Sequence, residues 1–420
     1  MRAITLLTLI ILTLTDLQSQ NIITLEECYK LAEQNYPLIQ QRDLISEAKH
    51  YTISNASKRA LPSLVIQGLQ SYQSDVTQVP FNSPEIHIEP PSKHQYKIFS
   101  EVSVPIFDGG TVRHEKQRAK DEAQINDDQL QVELYKLRER INDLYFGIII
   151  QDKQLQLNEL LQDDIQRGIA RVNAVVEQGS ALRSSADVLQ AELLKAQQQQ
   201  VDILASRRAY IEMLGLLTGR ALSAETSFVI PEPAPAADEI TRPELRVFAQ
   251  QKKAFDVYDK MITARQLPKL SVFFQGGYGR PALNMLDNDA EPYYYTGVRL
   301  NWTITNFYTA KKERALLEIQ RRTIDVQAET FQLNTQILLR QQQGEIDRLQ
   351  KALRTDDEII NIRERIKNTA EAQLANGVIQ ADDYLDEVTA EDQSRQNKAI
   401  HEAMLVYAQY KMNTLSGNGL

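Results

Sequence analysis

A chain of 420 residues holds enough material for one large core or two to three ordinary ones, and its formal charge of −9 argues against a nucleic-acid or anionic-lipid partner gripped by a basic face. A single cysteine, Cys28, excludes an internal disulfide and any cysteine-based zinc site, and His50, His87, His94, His114 and His401 have no ligand-like spacing. With no phosphate loop, nucleophile elbow or metal-ligand cluster in the sequence, an enzyme is not expected and no cofactor is implied.

Arg2 precedes an apolar run, Ala3–Leu14, followed by polar Thr15, Asp16, Gln18, Ser19 and Gln20. Twelve residues of helix span about 18 Å, too short for a hydrocarbon core of about 30 Å, so residues 1–20 read as a secretory signal peptide. Thr24 and Glu27 have the spacing of a capping box opening a helix over 24–57. Cys28 lies inside that helical pattern and reads as a buried small residue, not a lipid attachment point.

Next come two stretches of alternating pattern, a strand pair within 62–107. Ile98, Val102, Val104 and Ile106 oppose Lys97, Glu101 and Ser103. A heptad seam, Leu130, Leu134, Leu137, Ile141, Leu144 and Ile148, then predicts a very long helix that turns near Gly179 and returns to Gly219. Pro231-Glu-Pro-Ala-Pro-Ala-Ala237 marks a linker over 228–240.

The second half repeats this plan. Gly179 and Gly377, and Gly219 and Gly417, stand 198 positions apart; Pro37 and Pro243, and Pro62 and Pro268, stand 206 apart. The expected domains are therefore a first repeat over 21–227 with a helical tip near 179, and a second over 241–420. The latter has a strand pair within 268–305 and a tip near 377. Its strands alternate Tyr294, Thr296, Val298, Leu300, Trp302 and Ile304 against Tyr295, Gly297, Arg299, Asn301 and Thr303. Its long helix carries the seam Leu316, Ile319, Thr323, Val326, Thr330, Leu333 and Ile337.

Four amphipathic strands cannot close a barrel, because membrane barrels need about eight or more, and open edges are not tolerated in lipid. Strands facing lipid would have to be pooled between chains. Tyr293, Tyr294 and Tyr295 are the candidates for an interfacial aromatic girdle. The loops 73–93 and 281–292 would face outside.

On the opening Leu25-Glu-Glu-Cys-Tyr-Lys-Leu-Ala-Glu-Gln-Asn-Tyr-Pro37, the junction Val104-Pro-Ile-Phe-Asp-Gly-Gly110, the two glycine-marked tips and the closing Leu415-Ser-Gly417, the chain resembles the TolC family of outer-membrane efflux proteins. The resemblance implies a mainly α fold with a small β part: a homotrimer pooling twelve strands into a barrel and twelve helices into a periplasmic tunnel. It implies a passive exit duct of a tripartite efflux pump or type I secretion system in the cell outer membrane. The partners would be a periplasmic adaptor and an inner-membrane RND or ABC pump.

The resemblance also implies a site, since the family's entrance is narrowed by two acidic residues one turn apart after the second tip. Gly377-Val-Ile-Gln-Ala-Asp-Asp-Tyr-Leu-Asp386 matches that motif without a gap and places the pair at Asp383 and Asp386. Gathered around an axis, they would form a cation-selecting ring; the alternative is that acidic residues at a helix start complement its dipole. The residues that lock the entrance of the best-known member are replaced here by Leu374 and Ile379. Arg183 and Asp187 at the first tip are the candidate substitutes. The competing functional readings are a periplasmic adaptor and a coiled-coil scaffold of the envelope.

Overall fold

A computed structural model describes residues 22–78, 90–177, 182–232 and 239–418. The predicted signal peptide, the tip glycine Gly179, His87 and most of the Pro/Ala linker lie outside these. In chain order the elements are β1 (Ile22–Ile23), α1 (Leu25–Asn35), α2 (Gln41–Lys58), β2 (Ser63–Tyr72), β3 (His94–Phe107), α3 (Thr111–Glu177) and α4 (Arg183–Thr218). They continue with β4 (Ser227–Phe228), α5 (Pro243–Gln266), β5 (Lys269–Arg280), β6 (Glu291–Asn301), α6 (Asn306–Ala375) and α7 (Ala381–Ser416). The duplicated order helix, strand, strand, helix, helix is present in both halves.

The helix expected over 24–57 is broken. Pro37 has no amide to donate and disfavours a helical Tyr36, which is extended at φ −65°, ψ 128°, so a short 3₁₀ turn over Pro37–Gln40 separates α1 from α2. Thr24 caps α1 by accepting from the Glu27 amide at 3.2 Å. The Glu27 carboxylate pairs instead with Arg220 at 3.0 Å. Cys28 is fully buried, and burial pushes its thiol up to about 12, as an inert packing residue requires.

The chain divides into two compact units, and both draw on both repeats. One comprises 42–128 and 246–328 and holds the sheet; the other comprises 1–41, 129–245 and 329–420 and holds the second helical tip.

In the first unit the strands run β2-β3-β5-β6, antiparallel throughout. The register puts Ile66, Ile98, Val102, Phe274, Tyr294 and Val298 on one face, all more than a third exposed. The opposite face carries Gln95, Lys97, Glu101, Gln275 and Arg299. On that face large side chains cover partner glycines: Phe99 lies against Gly277, and a Cβ there would come within 2.6 Å of the Phe99 Cβ. The Gly276–Gly279 run is thus strand backbone that makes room for β3. Among the described residues β2 and β6 are unpaired edges.

In the second unit a core runs through the middle of α3. Leu130, Leu134, Leu137, Ile141 and Ile148 are all buried, with Tyr145 fully enclosed. The Tyr145 hydroxyl reaches the carbonyls of Ile23 (3.1 Å) and Val229 (2.8 Å), beside the parallel bridge of β1 to β4. That bridge was absent from the sequence expectations, because two-residue strands have no period to detect. α4 and α7 both end in a left-handed glycine, Gly219 at φ 66° and Gly417 at φ 92°.

Candidate functional site

The second helical tip is built from the end of α6, the turn Asn376–Gly377 and the start of α7. Gly377 has φ 68°, and a Cβ added there would meet nothing within 4 Å, so the left-handed turn alone demands glycine. Gln380 then caps α7 in a reciprocal box: its side chain accepts from the Asp383 amide, and Asp383 accepts from the Gln380 amide at 3.0 Å. Asp383 therefore has a local helix-capping role whatever else it does.

Ala381, Tyr384 and Val388, at i, i+3 and i+7, are buried in a cluster with Ile165, Leu189, Leu193 and Leu374. Tyr384 packs so closely on Gly168 that a Cβ there would lie 3.1 Å from its ring. This stripe turns Asp383 and Asp386 to the opposite side of α7, where both are exposed, one turn apart. Asp386 makes no hydrogen bond or ion pair to any described residue. Beside Asp383 lies a groove of about 560 Å³ lined by Ile362, Ile366, Thr369, Ile379, Asp383 and Glu387.

Leu374 and Ile379 belong to the apolar cluster, Leu374 buried and Ile379 packed against it. Arg183 and Asp187 lie in the first turns of α4, exposed, without a bond to each other or to any other described residue. The structure thus brings Asp383 and Asp386 onto one face of α7 and leaves Arg183 and Asp187 exposed at the start of α4.

Sequence reasoning missed an ionic network behind the tip. Lys367 of α6 reaches Asp164 of α3 at 3.1 Å and Glu391 of α7 at 3.3 Å, and Glu391 also pairs with Arg395. Glu391 is almost wholly enclosed, so the cations are what allow its charge to persist there. Next to it, Asp392 is buried, accepts from Gln396 at 2.7 Å, and is pushed up to about 6 by burial and then by the Glu391 charge. Only the polar character of positions inside long heptad-like helices could have signalled this.

On the sheet, the three tyrosines divide. Tyr294 sits on the apolar face, stacked on Phe274 with ring centroids 6.0 Å apart. Tyr293 and Tyr295 lie on the polar face, as the two-residue period requires: the Tyr293 hydroxyl accepts from Gln275 at 3.3 Å, and Tyr295 meets Phe273 edge-on at 5.5 Å. The same face carries a bidentate Arg299–Glu101 pair at 2.6 and 2.9 Å, with Arg299 over the Phe273 ring.

The two heptad seams also part company. Whereas the α3 seam is buried, the α6 seam is open along its length: Leu316, Ile319, Val326, Leu333 and Ile337 are each 56–60% exposed. Among the described residues no helix is long and apolar enough to cross a membrane, and no side-chain cluster could hold a metal ion.

Residues 28–220 match the outer membrane efflux protein family. Several solved structures share the fold over 94% of this chain. The CusC channel protein does so with a TM-score of 0.70 at 13% identity over 92% of its length. VceC of Vibrio cholerae gives 0.68 at 11% identity over 96% of its length. The open state of the MtrE channel of Neisseria gonorrhoeae gives 0.65 at 16% identity over 89%. Comparison with curated protein sequences finds no match.

Proposed function

We propose that this chain, which matches the outer membrane efflux protein family over residues 28–220 and shares the fold of solved outer-membrane channels, is one subunit of a homotrimeric passive exit duct of the TolC type. The observation that carries the reading is the four-stranded sheet. Its exposed face is apolar, its other face is polar, and both its edges are unpaired among the described residues. A sheet of that kind is stable in lipid only when copies close it into a barrel with the polar face lining the lumen. The open α6 seam supports the same conclusion, since a heptad stripe exposed over some twenty residues calls for a partner helix.

In this reading the duct spans the outer membrane, and its helical part meets a periplasmic adaptor and an inner-membrane pump. Asp383 and Asp386, three copies of each, ring the narrow entrance and favour cations. Supporting this are their shared exposed face and the absence of any intramolecular partner for Asp386 among the described residues. The apolar packing of Leu374 and Ile379 takes the place of a polar lock.

The test is extraction from outer membranes followed by electrophoresis without boiling and conductance in planar bilayers. Heat-sensitive trimers that open discrete conductances are expected. Recovery as a soluble monomer without conductance would remove the duct reading and favour an adaptor or scaffold.

A further inference from the structure

The junction between strand and helix in the first repeat holds a groove of about 530 Å³ in an otherwise acidic protein. Arg59, Arg113, Lys116 and Lys120 line it against one carboxylate, Asp108, and its rim includes Ile106, which is 59% exposed at the end of β3. Asp108 is already occupied, accepting from the amides of Gly110 and Val112 at 2.8 Å each. Arg59 pairs with Glu115. Arg113, Lys116 and Lys120 make no hydrogen bond or ion pair to a described residue. The positive potential is felt by neighbouring His114, held below the ordinary imidazole range by burial and then by Arg113 and Lys260.

The second repeat supplies an internal control. At the repeat offsets, Arg59 and Glu115 correspond to Arg265 and Glu313, and these pair in the same way. Lys116 corresponds to Arg314, which is neutralised by Asp259 at 2.8 Å and bonded to Thr263 at 2.9 Å. The first-repeat counterpart of Asp259 is Ile53, and that of Glu318 is Lys120. Two acids of the second repeat are therefore an apolar residue and a cation in the first. The positions of Lys116 and Lys120 are neutralised or acidic in the second copy and cationic in the first, whereas Arg113 and its counterpart Lys311 make no ion pair to a described residue in either.

We infer that the Arg113–Lys116–Lys120 groove binds the anionic phosphate headgroup of a membrane phospholipid, with an acyl chain lying along the exposed Ile106 side of β3. Cations alone would suit any phosphate; the adjoining apolar strand end favours a lipid. The inference rests on the membrane reading of the sheet.

Native mass spectrometry of the full-length protein in detergent, titrated with phosphatidylglycerol and with phosphatidylcholine, provides the test. Selective retention of phosphatidylglycerol is expected. The triple variant Arg113→Gln, Lys116→Gln, Lys120→Gln should weaken it on the order of a hundredfold. Ile53→Asp, restoring the carboxylate of the second repeat, should weaken it several-fold, and Lys311→Gln should leave it unchanged. Equal retention of both lipids, wild-type affinity in the triple variant, or displacement by an equal concentration of inorganic phosphate would overturn the lipid site. Bilayer conductance on the same preparations separates the two readings. Protein that conducts but shows no lipid preference overturns this site and leaves the duct; protein that neither inserts nor conducts overturns both.

Discussion

Asn35 donates its side-chain amide to the carbonyl oxygen of Thr218 at 2.8 Å, tying the end of α4 to the Tyr36–Pro37 break. The bond has a counterpart in the second repeat, where the Thr241 amide donates to Ser416 at 2.7 Å beside Arg242–Pro243. Thr218 and Ser416 are 198 positions apart, Asn35 and Thr241 are 206 apart, so both sequence offsets meet at one structural joint. The glycines that follow are pressed against it: a Cβ on Gly417 would lie 2.5 Å from the Arg242 nitrogen. Gly417→Ala should therefore destabilise by about 2–3 kcal/mol, from left-handed strain and the backbone clash together. Thermal unfolding followed by circular dichroism would read it, and an unchanged midpoint would refute the joint's importance.

Asp383 and Asp386 can be separated experimentally. Asp383 closes the capping box of α7, whereas Asp386 bonds to no described residue. Asp386→Asn should lower cation selectivity in planar bilayers with stability unchanged within about 0.5 kcal/mol. Asp383→Asn should lower selectivity as well, and the double variant most of all. Reversal potentials identical to wild type in the double variant would exclude an entrance ring.

Lys367 holds the enclosed Glu391 and Asp164 in place. Lys367→Met should destabilise by about 1–3 kcal/mol, because it leaves the buried Glu391 to Arg395 alone among the described residues, and Lys367→Met with Glu391→Leu should recover much of that loss. Denaturant unfolding of the two variants is the measurement; equal loss in both would mean the pair is not coupled.

Asp392 gives a pH dependence whose sign is opposite to that of a salt-bridged carboxylate. Its folded pKa is raised to about 6 from 3.8, so the folded chain keeps a proton that the unfolded chain releases. Its contribution is most favourable below about pH 4 and is lost as pH rises through about 6. Asp392→Asn should thus stabilise the protein at pH 7.5 by about 1–3 kcal/mol relative to wild type, and by much less at pH 4. A difference that does not change with pH would show that Asp392 is not held protonated.

The α6 seam should govern assembly and not folding of the single chain. Leu333→Asp with Ile337→Asp removes two side chains that are each more than half exposed, and that would contribute about 1.5–3 kcal/mol apiece once covered. Loss of trimers in light scattering, with helical content retained, is the expected outcome. Intact trimers would place the subunit interface elsewhere.

Local pattern in the sequence determined much of this protein. Thr24 set a helix start, Gly219 and Gly417 set helix ends, and the two-residue period set which strand residues share a face, because each rests on backbone chemistry within a few residues. The duplicated landmarks, read at two offsets, carried the order of elements and the need for more than one chain. Tertiary packing decided the rest. The α3 and α6 seams look alike as heptads, and only the folded chain buries one and leaves the other open. The Lys367–Glu391–Asp164 network joins three helices whose residues are as far as 227 positions apart, and no local period encodes such a meeting. The cation excess at Arg113, Lys116 and Lys120 became visible only in the folded chain, where Arg314 of the second repeat meets Asp259 and Lys116 of the first meets no carboxylate among the described residues, because an ion pair is a property of two segments brought together.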